Sequence, residues 1–359
     1  MRYPSIAAVD RSFDDVYISP HLDDVVLSCG GRLLRERAQG RSVLVVTVFT
    51  AEAGPCREIP PHVRARVGDM AERRREDERA MARLGADFLW LDHPEAIFRD
   101  RAYHTLFGAF SRFVPADREL VTHLALRLAE LVQRVRPRRL YWPLGVGQHV
   151  DHRVVCEAGL RLAEHLAQLP ANARIPEVCF YEDAPYALIP HLVEHRLRDM
   201  GAHWTGEDVE RGSAWARARQ AYATMLTLAS VRAEVRHWAM RAATYGFLVF
   251  RFAGEGRRRA RARLWLTPEL CEISEVLSEK LEVIAAYRSQ IAPVLGDVAS
   301  YARLRRAYSQ RLVDDAPARF EPTRRTNEDR PDRPPTHGIF ERIWRMAQSA
   351  PDGNDEASP

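Results

Sequence analysis

Two short stretches of the chain concentrate groups that can bind a metal and move a proton. Ser19-Pro20-His21-Leu22-Asp23-Asp24 sets one imidazole and two carboxylates within four residues, and Gly145-Val146-Gly147-Gln148-His149-Val150-Asp151-His152 sets two imidazoles and a carboxylate within another four. A catalytic zinc site uses three N or O protein ligands and keeps a position for water, and two histidines with one carboxylate form such a set. One cluster can supply a histidine and an aspartate, the other a histidine. A second carboxylate then remains to take a proton from water, and a second histidine to stabilise or protonate the group that the water attacks. Either cluster alone would also suit a helix N-cap, where aspartate is favoured and acids complement the dipole. Two at neighbouring strand ends are a poor match to coincident caps. The inventory points to a metal-assisted hydrolase. Competing chemistries lack their marks: no GxSxG elbow, no GxxxxGK[ST] loop, and no GxGxxG after the first strand.

The elements that must hold these groups read as alternating strands and helices. Residues 16–19 form a β-prone run that stops at Pro20, followed by a helical stripe of Val26, Leu27, Leu33 and Leu34. Residues 42–49 (SVLVVTVF) are an almost unbroken apolar run rich in β-branched side chains, as in a strand covered on both faces. Further strands are predicted over 87–91, 138–142 and 177–181, with helices over 64–84, 118–135 and 151–169. This alternation predicts an α/β, doubly wound, Rossmann-like and mainly parallel sheet with ligands at the carboxyl ends of its strands. Both clusters fall there. Gly30-Gly31 lie in the first helix, where close packing of the helix on the sheet is expected.

With those residues in view, the chain resembles the PIG-L/LmbE-like zinc-dependent de-N-acetylases. His21-Leu22-Asp23-Asp24, Gly30-Gly31 and His149-Val150-Asp151-His152 are similar to the two signature motifs of that family. Supporting matches are Arg73-x-x-Glu76 ahead of Leu84-Gly85, Leu91-Asp92-His93-Pro94-Glu95-Ala96, Tyr181-Glu182-Asp183, and Lys280 with Tyr287-Arg288-Ser289-Gln290. The resemblance spans about residues 17–296, with few anchors between 191 and 268. It departs from the commonest pattern at Leu22 and Val25, neither of which is a ligand position. It implies His21, Asp24 and His152 as ligands of Zn2+ or another divalent metal, Asp23 as general base, His149 as electrophile or acid, and Asp151 as the residue tuning His149. It also implies Glu95 reading sugar hydroxyls and Arg73 contacting substrate. The implied reaction removes an N-acetyl or similar N-acyl group from an amino-sugar or glycoconjugate. The alternatives are an amidase acting on thiol-sugar conjugates and a non-catalytic carbohydrate-binding protein that retains the fold.

Composition narrows the setting. The chain has 359 residues, 46% hydrophobic and 28% charged, enough for a large core. A formal net charge of +4 does not favour nucleic acid as a partner. Lys280 is the sole lysine, so the abundance of arginine reads as compositional bias; the cluster at Arg257, Arg258, Arg259, Arg261 and Arg263 reads as a solvated face. Five cysteines without a CxxC pair exclude a zinc finger or redox dithiol, and Cys29 and Cys156 read as small packing groups. No run of about 18 apolar residues occurs and no signal-peptide pattern opens the chain, so a soluble, cytoplasmic protein is expected. Residues 1–300 are assigned to one deacetylase-like domain in which 190–300 form a mostly helical, cleft-shaping region. Residues 301–359 are assigned to a helical end and a disordered tail. Within that tail Ile339, Phe340, Ile343 and Trp344 have the spacing of one docking helical turn. His62 and His93 read as loop histidines outside the site.

Overall fold

Val43–Phe49 and Asp15–Ser19 are buried at every residue, as the unbroken apolar pattern requires of strands sandwiched between helices. The structure, a computed structural model, describes the chain except residues 66, 106, 111, 171–173, 205–211, 236, 255–263, 315–337 and 348–359. The strands are β1 (Arg2–Tyr3), β2 (Asp15–Ser19), β3 (Val43–Phe49), β4 (Asp87–His93), β5 (Arg139–Pro143), β6 (Glu177–Tyr181), β7 (Ala202–Trp204), β8 (Leu264–Glu272) and β9 (Phe340–Met346). They form one sheet in the order β1-β4-β3-β2-β5-β6-β9-β8-β7. From β1 to β6 every pairing is parallel, whereas β9 is antiparallel to both β6 and β8.

Alternation along the strands feeds two cores, one on each face of the sheet. Tyr17, Val43 and Val45 pack with Leu27, Leu33, Met81 and Leu84 of helices Asp24–Ala38 and Met70–Leu84. Val16, Ile18, Leu44 and Val46 pack with Val121, Leu124, Leu128 and Val154 of helices Pro115–Val135 and Val150–Ala167. Helix Met70–Leu84 starts later than the predicted residue 64, at an Asp69 cap that accepts from the Ala71 N–H, and ends at Gly85 with φ 62°. From β2 the chain winds through β3 to β4 on one side, then returns to β5 and β6 on the other. The strand order therefore reverses between β2 and β5, the crevice where such sheets bind ligands.

The region after β6 is mostly helical, as expected, but it also contributes β7 and β8. β8 escapes a pattern reading because most of it is only half-buried and Pro268 and two acids interrupt it; Arg32 holds Glu269 at 2.8 Å. The tail is the larger correction. Residues 340–346 are neither a helical turn nor disordered but the strand β9, lying between β6 and β8 with Trp344 opposite both Phe180 and Pro268. Its charged residues look solvent-facing in the sequence yet find partners inside: Glu341 Oε1 lies 2.6 Å from Lys280 Nζ, and Arg342 Nε lies 2.5 Å from Glu182 Oε1. Residues 315–337 and 348–359 of the tail and the arginine cluster at 257–263 lie outside the described residues.

Gly31 is required by a close approach of another kind than predicted. A Cβ there would stand 2.6 Å from Ile273 Cγ2, so the helix packs on the segment leaving β8.

Candidate active site

The loop after β2 turns the chain so that the first cluster points into the crevice. Ser19 Oγ donates to the His21 carbonyl (2.6 Å), and the His21 N–H donates to Asp24 Oδ2 (2.8 Å). That same Asp24 oxygen lies 3.0 Å from His21 Nδ1 and 3.3 Å from His152 Nε2. His21, Asp24 and His152 thus meet around one carboxylate oxygen, each offering an atom within 4.8 Å of the others. Among the described residues His21, His149 and Asp151 satisfy the same condition.

The second cluster is positioned by a glycine-bearing loop and a helix start. Gly145 and Gly147 have φ of 79° and 78°, and a Cβ on Gly147 would meet the Tyr186 ring at 2.5 Å. The loop delivers His149 as the N-cap of helix Val150–Ala167, its Nδ1 accepting from the Asp151 N–H at 3.3 Å. Three residues on, His152 faces the same crevice; its Nδ1 lies 2.6 Å from Asp183 Oδ1, while Asp183 Oδ2 accepts from the N–H groups of Gly145 (2.7 Å) and Val146 (2.9 Å).

Asp151 makes the hydrogen bonds of its carboxylate with groups other than His149. Its Oδ2 lies 3.0 Å from His21 Nε2 and accepts from the Ala96 N–H (3.1 Å), and its Oδ1 accepts from Arg99 Nη1 (2.6 Å). Asp151 gives its backbone N–H to the His149 ring, and one of its carboxylate oxygens lies within 4.8 Å of a His149 ring nitrogen, close enough to raise that histidine's pKa against its burial. Arg73 and Glu95 both border the cleft and pair with one another at 2.5 Å. His93 packs edge-on against His123, with ring centroids 5.6 Å apart, and takes no part in the cluster; His62 is exposed. Cys29 and Cys156 are buried packing groups, as predicted.

Burial and mutual charge split the ionisation of these groups. Burial, and then the neighbouring Asp24, push the Asp23 carboxyl up to about 6. Burial opposes charge on Asp24 as well, but His152 and His21 outweigh it and hold that carboxyl well below the usual range. Asp151 is likewise held low, its burial outweighed first by Arg99. For His21 the cost of burial is overcome by Asp24 and Asp151, which raise its pKa well above the ordinary value. Burial takes His149 the other way, down to about 3, so it is neutral at physiological pH.

Two residues that the sequence reading gave no role complete the site. Asp183 stands directly after β6, and the rule that ligands gather at strand ends could have singled it out. Arg99 sits in a short helical turn with no periodic signal, and its role emerges only from the fold. The cleft above these groups has a volume of about 410 Å³.

Residues 16–163 match the family model described as PIG-L: GlcNAc-PI de-N-acetylase, in line with the resemblance carried by the two motifs. The chain is 28% identical over 201 residues to a 2'-N-acetylparomamine deacetylase of Niallia circulans, covering 48% of this chain and 66% of the relative. It is 33% identical over 173 residues to the enzyme of the same name from Streptomyces fradiae, covering 47% of this chain and 56% of the relative. In both cases the match spans less than two thirds of the relative. The structure is similar to that of the zinc inhibited form of teicoplanin deacetylase, with a TM-score of 0.57, 19% identity, and coverage of 97% of this chain and 100% of that one. It is also similar to A40926 pseudoaglycone deacetylase, with a TM-score of 0.53, 19% identity, and coverage of 95% and 99%. These structural likenesses establish a shared α/β fold.

Proposed function

We propose that the chain is a metal-dependent hydrolase that removes an N-acetyl, or similar N-acyl, group from an amino-sugar or amino-sugar conjugate. The observation that carries this reading is the meeting of His21, Asp24 and His152 at the β2/β5 crevice, with Asp23 beside them. Two imidazoles and a carboxylate suit Zn2+ with a position left for water. The Asp183 carboxylate behind His152 Nδ1 is the support that metal-bound histidines usually have. A bound divalent metal supplies Lewis-acid polarisation of the amide carbonyl and makes water more acidic.

The protein's own groups divide the remaining work. Asp23, with its pKa near 6, is ionised at neutral pH yet basic enough to take a proton from the attacking water. Neutral His149, its Nδ1 occupied by the Asp151 N–H, presents Nε2–H to the carbonyl oxygen as negative charge develops there. The water oxygen bonds to the carbonyl carbon, the C–N bond breaks, and Asp23 returns its proton to the departing amine; the second water proton then passes from the carboxylic acid to the amine, giving a carboxylate and an amino-sugar with a protonated amine. Asp151 orients His21 and is itself held ionised by Arg99. We assign contact with sugar hydroxyls to the Arg73–Glu95 pair, because both residues border the cleft. The sheet with its helices, β9 included, acts as one catalytic unit in which residues 190–300 shape the cleft.

The test is turnover of a panel of N-acetylated amino-sugars, N-acetylparomamine included, with and without a chelator. Turnover that a chelator abolishes and Zn2+ restores supports the reading. Asp23→Asn should keep its metal and lose about 10²–10⁴-fold in turnover, whereas Asp24→Ala should lose the metal itself. No turnover on any member of the panel, with metal bound, would favour the carbohydrate-binding alternative.

A further inference from the structure

The cleft has two unlike sides. Its floor is the charged cluster; its outer side is built by Phe107, Phe110, Met225, Val231, Phe247 and Leu248. Four of these six come from residues 225–248, outside the segment that matches the family model, so this side is not part of what the motifs imply. The Phe107 and Phe247 rings stack with centroids 5.1 Å apart, and Phe110 stands edge-on to His149 at 5.6 Å. An apolar surface therefore runs from the reacting histidine outward. Several polar groups on that side are already engaged: Ser230 Oγ donates to the Val294 carbonyl (3.4 Å), Gln290 Nε2 to the Val67 carbonyl (3.2 Å), and the Arg251 guanidinium lies over the Phe247 ring at 5.5 Å, while Thr244 and His195 add polar atoms at the margin of that side.

A bare amino-sugar presents hydroxyls in every direction, and setting them against this side would leave them without partners. A cleft of about 410 Å³ is also of the size that encloses a drug-sized ligand. We infer that the substrate is an amino-sugar conjugate bearing an apolar alkyl or aryl substituent, which lies along the Phe107–Phe247 side while the amide reaches the charged floor. The inference rests on the proposed hydrolase reading for the amide end, and the substituent is attached either at the anomeric oxygen or as the N-acyl chain.

The experiment compares three ligands: methyl N-acetylglucosaminide, its hexyl glycoside, and the methyl glycoside carrying N-hexanoyl in place of N-acetyl. Values of kcat/KM are measured on the full-length metal-loaded protein, and Kd by calorimetry on its Asp23→Asn variant so that ligand is not consumed. Burial of each methylene is worth up to about fourfold in affinity, so at least a tenfold gain over the methyl compound is expected in one hexyl arm. The arm that gains identifies which end of the substrate faces the apolar side. Ratios within twofold in both arms overturn the inference. Phe247→Ser, with folding checked by thermal melting, should bring the hexyl-to-methyl ratio towards one; an undiminished ratio in the folded variant also overturns it. Turnover of the methyl compound with no hexyl gain leaves the hydrolase standing and removes the apolar subsite. Tighter hexyl binding with no turnover of any compound does the reverse.

Discussion

Asp183 Oδ1 lies 2.6 Å from His152 Nδ1, and the other oxygen of Asp183 is fixed by two backbone N–H groups of the loop that also delivers His149. One carboxylate thereby sets the orientation of His152 and ties it to the 145–148 loop. Asp183→Ala should weaken metal binding by about 10–100-fold, the usual effect of removing a hydrogen-bond partner of a ligating histidine. Competition against a chromophoric chelator measures it. Metal affinity equal to that of the parent protein would exclude the orienting role.

The ion pair between Lys280 and Glu341 is almost completely buried, at 0% and 1% side-chain exposure. Glu341 also accepts from the N–H groups of Gly31 and Arg32, at 2.9 and 2.7 Å. Glu341→Ala leaves an ammonium group inside the protein without its counter-charge, with the Leu27 carbonyl (2.9 Å) and the Tyr301 ring (5.2 Å to the centroid) beside it. A loss of about 3–5 kcal/mol in unfolding free energy is expected, read from urea denaturation. Truncation after residue 314 should be at least as damaging, because it removes β9 as well as the counter-charge. Wild-type stability in either protein would show that β9 is dispensable.

Asp77, which is not one of the proposed metal ligands, supplies a pH signature of its own. It accepts from Trp90 Nε1 (2.8 Å) and from the Tyr287 hydroxyl (2.7 Å), and burial pushes its carboxyl up to about 7. An unfolded aspartate releases its proton at about 4. Between those values the native state binds more protons than the unfolded one, so this group makes stability fall as pH rises, by at most about 1.4 kcal/mol per pH unit. Asp77→Asn should remove that slope. Urea unfolding of both proteins at pH 5 and pH 7 reads the difference, and parallel pH dependences would contradict it.

The parallel half of the sheet was legible because β2 to β6 are short, apolar and separated by amphipathic helices, so periodicity and burial agree. The meeting of His21, Asp24 and His152 was legible for a related reason: each lies in the loop or helix start that follows β2 or β5, and those strands pair directly. The partner of Asp151 was not. Its choice of His21 over His149 depends on the Ala96 N–H and Arg99, brought in from the segment after β4. β9 was misread because Ile339, Phe340, Ile343 and Trp344 have helical spacing, and because the charges between them are neutralised by residues far away in the chain. Pattern reading assigns charge to water; here Lys280 and Glu182 take that place.

The placement of β9 bears on how the chain reaches its fold. β6 and β8 do not pair with each other, so among the described strands β9 alone joins β7 and β8 to the rest of the sheet. Glu182 and its partner Trp344 are 162 residues apart, and closing so long a loop delays contact formation. As the polypeptide leaves the ribosome, β6 emerges with one edge unsatisfied and stays so until residues 340–346 have been made. An open, apolar strand edge is where nascent chains pair wrongly with one another. Yield on refolding from denaturant should therefore fall with protein concentration, and a supplied peptide of the β9 sequence should protect chains that lack their own.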